Sequence, residues 1–200
     1  MIILGLDTTG AECSVSIVDE AMVRAHISRN IGRGHAEILA GQVEEALGTA
    51  KLTPQDIDRL AVCTGPGNFT GLRVAMSFAK GFALPRGLPV IGINALHLTS
   101  WLDQPEGHQM IGVYRDVRRG EVFYGEFQGG EINWEPHVTQ LNEAKAANRE
   151  MQLKFLEARV DTRILAWLAM DLDPADYPAE PLYARAPDAK LPGGKSLPKR

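Results

Sequence analysis

Two turns in this 200-residue sequence carry groups able to do chemistry, Asp7-Thr8-Thr9-Gly10 and Gly65-Pro66-Gly67-Asn68. The first places a carboxylate and two hydroxyls on a tight turn. The second frames a proline with glycines, which reach backbone angles closed to other residues, and then opens a helix that Asn68 or Thr70 can cap. Amides at such a helix start can hold an anion. Asp7, Thr8, Thr9, Gly65, Gly67, Asn68 and Thr70 are therefore a candidate anion site, with plain tight turns as the alternative. No Lys-Ser/Thr pair follows the glycines, which excludes a P-loop nucleoside triphosphatase.

Other reactive types are sparse. His35, Glu37 and Asp7 offer acid–base groups, but no nucleophile stands in a recognisable context, and no Ser-His or Cys-His constellation is legible. Cys13 and Cys63 are the only cysteines and lie in apolar, strand-like runs. They are too few for a disulfide framework or a four-ligand zinc site and read as packed thiols of a reducing compartment. Asp56 and Asp58 read as a solvated face or a cap. Arg115, Arg118 and Arg119 read equally as a solvated loop or as a contact to an anion or partner.

The elements that must position these groups follow from periodicity. Residues 2–6 form an apolar run and 13–18 alternate, which predicts a hairpin around the first turn, with a third strand near 22–28. Residues 35–47 take helical spacing, with Leu39, Val43 and Leu47 on one face. A strand at 60–63 leads into the second turn and a helix over 69–84, stopped by Pro85. A strand at 89–93 and a helix at 95–102 follow. Residues 104–109, polar with Pro105 and Gly107, mark a boundary. A second hairpin is expected from 110–114 and 121–127, partial helix within 141–156, and a helix at 162–170. Three organisational units result: 1–103, 104–186, and a Pro/Gly-rich basic tail at 187–200 expected to be mobile.

The two hairpins share an offset: strand, aspartate, tight loop, glutamate, strand, with Asp7 and Glu12 in one and Asp116 and Glu121 in the other. That pattern implies a duplicated α/β fold, with short-hairpin coincidence as the alternative. Hydrophobic residues make up 44% and charged residues 23%, enough for a packed core and too few charges for global disorder. A net charge of −4 argues against a chain that grips nucleic acid by itself. No run approaches the ~20 apolar residues of a membrane span, and the apolar start lacks a basic leader, so a cytoplasmic protein is expected.

The order and spacing of ILGLDTTGAECSVSIVD (2–19 less its first residue), HAEIL (35–39), GPGNFTGLRVAMSFAKGFAL (65–84), DVRRGEVFYGEF (116–127) and PLYAR (181–185) resemble the TsaB (YeaZ) family over essentially the whole chain. The resemblance implies an actin-like, duplicated ribonuclease-H-like fold whose second half is reduced. It also implies a role with TsaD and the small ATPase TsaE in forming threonylcarbamoyladenosine at position 37 of tRNAs reading codons that begin with A. TsaD would be the heterodimer partner, with a homodimer of the isolated chain as an open alternative, and tRNA would be met through the complex. No tightly bound cofactor is implied; ATP and magnesium would belong to the assembled complex.

The catalytic paralogue TsaD carries a His-x-x-x-His metal motif where this chain reads Ala95-Leu96-His97-Leu98-Thr99. Ala95 has no donor atom and Thr99 a poor one, so a non-catalytic partner is expected. The helix over 69–84 is apolar around most of its circumference, more than one covered face needs; the resemblance favours a bundle shared with a second subunit, and a helix sandwiched in its own domain is the alternative. The expected interface comprises Leu39, Val43, Leu47, Leu72, Arg73, Met76, Ala79 and Ala83. Two other readings remain: an actin-like small-molecule kinase or ATPase, and a peptidase acting on TsaD.

Overall fold

β1 (Ile3–Asp7) is buried along its whole length because it lies mid-sheet. In the computed structural model, which describes residues 1–103 and 109–183, β1 pairs antiparallel with β2 (Glu12–Val18) and parallel with β4 (Arg59–Cys63). β3 (Val23–Asn30) and β5 (Val90–Ile93) complete a sheet of order β3-β2-β1-β4-β5. Alternate side chains point to opposite faces. Leu4 and Leu6 join the core formed with α1 (His35–Ala50) and α2 (Phe69–Ala83), while Ile3 packs with Leu165 and Ala166 on the other face.

A second sheet repeats the plan. β6 (Met110–Asp116), β7 (Glu121–Gln128) and β8 (Glu131–Gln140) form an antiparallel meander. α4 (Leu141–Met151) then returns the chain to β9 (Lys154–Glu157), parallel to β6, in the order β8-β7-β6-β9. Strand order, strand direction and the helix before the parallel strand all match the first half. The chain therefore has the duplicated actin-like architecture, with one strand fewer in its second sheet.

The halves exchange helices. α3 (Ala95–Leu102) follows the first sheet but packs Ala95 and Leu96 against Ile111, Val113, Phe123 and Phe127 of the second. α5 (Thr162–Leu168) follows the second sheet but covers the first. Gly5 admits it: a Cβ there would stand 2.6 Å from the Thr162 carbonyl oxygen. The segment after α5 then crosses back, with the Gly92 N–H donating to Tyr177 O and the Leu182 N–H to Thr64 O.

Two strands escape the sequence periodicity. β8 is an edge strand exposed along most of its length and interrupted by register shifts opposite Tyr124–Phe127, so no two-residue alternation shows. The stretch 141–156, expected as partial helix, divides into α4 and β9 at Gln152, whose left-handed backbone ends the helix. The tail at 187–200 lies outside the described residues. No helix among the described residues is long and apolar enough to cross a membrane.

Candidate functional site

The structure brings the two chemical turns together. The Asn68 N–H donates to Thr9 O (2.8 Å), and the Thr8 hydroxyl donates to Gly71 O (2.6 Å) while accepting from the Ala75 N–H (3.2 Å). Asn68 caps α2 by accepting from the Thr70 and Gly71 amides. Gly67 and Gly71 make the approach possible, since Cβ atoms there would lie 2.7 and 1.8 Å from the carbonyl oxygens of Thr9 and Thr8. Gly65 stands at φ 102, the left-handed region, and its peptide bond to Pro66 is cis. Thr8 and Thr9 are thereby buried and their hydroxyls committed within the protein. The candidate anion residues form a latch that fixes the start of α2 to the first hairpin, with Gly67, Asn68 and Thr70 left at its exposed edge.

Asp7 sits beneath this latch, and burial raises its carboxyl pKa against the opposing pull of the Thr9 hydrogen bonds and the charges of Arg115 and His35. Arg115 reaches over from β6 to donate to Ala158 O (2.7 Å). Burial pushes the Cys13 thiol to about 11 and the Cys63 thiol to about 12, which keeps both protonated and poor nucleophiles at neutral pH. Asp56 accepts from the Thr53 amide and hydroxyl, and Asp58 from the Ile2 amide, so both brace local structure.

One constellation is absent from the sequence reading. Ser16 Oγ lies 2.8 Å from His26 Nδ1, on adjacent strands β2 and β3. No spacing rule finds such a pair, because cross-strand register creates it. Ser16 is fully buried and also bonds Thr162 Oγ1 (2.6 Å), which ties α5 to the sheet. A hydroxyl sealed in this way has no path to a substrate.

At the position of the paralogue's metal motif, Ala95 and Thr99 are both buried. The Thr99 hydroxyl stands 2.8 Å from Ala95 O and accepts from the Arg159 N–H (2.8 Å), which stitches α3 to the segment after β9. His97 points elsewhere, to Gly130 O at 2.6 Å. No group of three potential ligands among the described His, Cys, Asp and Glu residues is placed to hold a metal.

The helical face needs correction. Leu39, Val43, Leu47, Leu72, Met76, Ala79 and Ala83 are buried within the chain's own core, because they form the inner faces of α1 and α2 against the first sheet. Of the eight residues expected at a subunit interface, Arg73 alone is exposed; its guanidinium lies 3.8 Å over the Phe69 ring, and its Nε donates to Tyr183 OH. What α1 and α2 turn outward is a different set. Ile38, Val74, Phe78 and Phe82 are only partly buried, and Phe69 and Leu84 are exposed. Gly41 and Gly48 of α1 and Gly81 of α2 face open space.

Comparison with known proteins gives this geometry a family. Residues 24–151 match the family model of TsaD, tRNA N6-adenosine threonylcarbamoyltransferase. The chain is 32% identical to the Escherichia coli tRNA threonylcarbamoyladenosine biosynthesis protein TsaB, over 84% of its own length and 74% of that protein's. It is 39% identical to a Tropheryma whipplei tRNA N6-adenosine threonylcarbamoyltransferase over 70% of this chain, but spans only 39% of that larger protein. Among solved structures, a Pseudomonas aeruginosa protein described as similar to peptidase YeaZ shares the fold, with a TM-score of 0.72, 24% identity, and coverage of 92% of this chain and 99% of that one. With its two-sheet duplicated architecture and a match of this extent to E. coli TsaB, the chain belongs to the TsaB (YeaZ) family, whose named members are tRNA threonylcarbamoyladenosine biosynthesis proteins.

Proposed function

We propose that this protein is a non-catalytic assembly subunit in threonylcarbamoyladenosine formation, docking to a TsaD-type transferase through the outer faces of α1 and α2. The observation that carries the reading is the partly exposed apolar set Ile38, Val74, Phe78 and Phe82, on the same two helices as the outward glycines Gly41, Gly48 and Gly81. Each glycine inside a helix costs about 1 kcal/mol relative to alanine. Such a cost at three outward positions with nothing above them suits a surface that another backbone approaches closely. The same surface is available for self-association of the isolated chain. TsaE and tRNA enter this reading through the assembled complex, as do ATP and magnesium.

The committed hydroxyls of Thr8 and Thr9, the protonated thiols, the sealed Ser16 and the packed Thr99 support the non-catalytic part of the reading. They also disfavour the kinase and peptidase alternatives. The deciding experiment measures ATP turnover and tRNA modification by the purified chain alone and with TsaD and TsaE, together with the solution mass of the mixture. Expected are no turnover alone, a heterodimer with TsaD, and modification only with all parts present. Modification by TsaD and TsaE without this chain would overturn the proposal.

A further inference from the structure

A cavity of about 480 Å³ lies between the start of α3, the end of β5, β8 and the returning segment 176–182. Its volume falls in the range of small-molecule sites. Its chemistry is one-sided. The charged side chains lining it are Asp176 and Glu180, both at the exposed rim and neither with a hydrogen bond or ion pair among the described residues. Ile132, Pro181 and Leu182 supply apolar wall, and Tyr177 an aromatic face.

His97 makes the inner wall specific. It is 9% exposed, and its Nε2 lies 2.6 Å from Gly130 O. A carbonyl only accepts, so Nε2 carries the proton and Nδ1 is left as an acceptor. The Trp101 N–H donates to the same carbonyl, and the imidazole stacks with the Phe127 and Tyr177 rings, so the ring is held in place. Burial lowers its pKa, which keeps it neutral. Nδ1 has no hydrogen-bond partner among the described residues.

Unpaired carboxylates at the rim, a held imidazole among the lining residues whose Nδ1 is left to accept, and an aromatic face together favour one ligand class. We propose that this cavity binds an organic ammonium ion. The cation lies between Asp176 and Glu180 and over the Tyr177 ring, an N–H meets His97 Nδ1, and an aliphatic body rests on Ile132, Pro181 and Leu182. An anion would meet repulsion at the mouth. A neutral polyol would leave both carboxylates without a partner.

Calorimetric titration of the full chain with spermidine tests this, with glycerol and butyrate as neutral and anionic comparators. Saturable binding of spermidine at one site per chain is expected. The Asp176→Asn/Glu180→Gln variant should weaken it about tenfold or more, the scale of a lost charge-assisted hydrogen bond. Ile132→Trp, at a half-exposed position, should crowd the apolar wall and weaken binding with the net charge unchanged. Absence of saturable heat, equal binding of butyrate, or a wild-type isotherm from Ile132→Trp (the mark of loose counter-ion attraction) would each overturn the proposal. None of these outcomes depends on docking through α1 and α2.

Discussion

Asp7 and Asp116 each end a strand and accept, through Oδ1, the backbone N–H two residues further on: Thr9 at 3.0 Å and Arg118 at 2.6 Å. The same hydrogen bond at the same point of each half is the duplication expressed at atomic scale. The surroundings then diverge. The first turn lies under the latch from Gly67 and Asn68, and its aspartate is buried; the second carries Arg118 and Arg119 in left-handed backbone, and its aspartate is exposed.

Burial makes Asp7 a pH-dependent contributor. The folded protein holds its proton more tightly than the unfolded chain, where the carboxyl titrates near 3.8. Stability from this group is full below that value and is lost as pH rises through the elevated folded pKa. Asp7→Asn keeps an oxygen for the Thr9 amide and removes the buried charge. It should melt a few degrees above the parent at neutral pH and converge with it in acid. Equal melting at neutral pH would show that Arg115 and His35 fully offset the burial.

Charges on the two sides of α2 should behave oppositely. Met76 is 4% exposed inside the core, so Met76→Glu buries an unpartnered carboxylate at a cost of several kcal/mol and should unfold the protein. Phe78 belongs to the outward set, so Phe78→Glu should leave circular dichroism unchanged and abolish co-elution with TsaD on size exclusion. A Phe78→Glu protein that assembles normally would remove α2 from the interface.

Glycines on the same helix divide in the same way. Gly71→Ala would set a Cβ 1.8 Å from the Thr8 carbonyl oxygen and should break the latch, with a loss of several kcal/mol in denaturant melts. Gly81→Ala meets open space and should stabilise the isolated chain by about 0.5–1 kcal/mol. If the neighbour's backbone lies over Gly81, the same variant weakens assembly.

Ser16 offers a direct test of the peptidase reading. A fluorophosphonate probe should leave the native protein unlabelled. Ser16→Ala should lower stability by about 1 kcal/mol, the scale of a lost internal hydrogen bond, with no change in any hydrolysis the preparation shows. Stoichiometric labelling of Ser16 would establish that the pair opens to substrate.

Sequence spacing was enough to locate most strands and helices, because mid-sheet strands such as β1 are continuously apolar and α1 and α2 keep helical period. It could not tell which apolar face of α2 turns inward. Leu72, Met76, Phe78 and Phe82 are alike in type, and only the sheet beneath decides among them. β8 was illegible for the opposite reason: an exposed edge strand with bulges has no buried face to write a pattern. The site was half legible. Local turn chemistry marked Asp7 and the 65–68 loop, whereas the Ser16–His26 pair, the stitching by Thr99 and the cavity beside His97 arise from contacts between distant segments.

The exchange of α3 and α5 constrains how this chain can emerge from the ribosome. The first sheet is synthesised by residue 93, yet Ile3, Ile91 and Ile93 lack their cover until Leu165 and Ala166 arrive. At a synthesis rate of roughly 5–20 residues per second, that apolar face waits several seconds without its native partner. The first half therefore lacks one layer of its own core until the second half has been made. Its first sheet can complete its core only once α5 has been made, and a nascent chain stalled before residue 162 is the species a chaperone would bind.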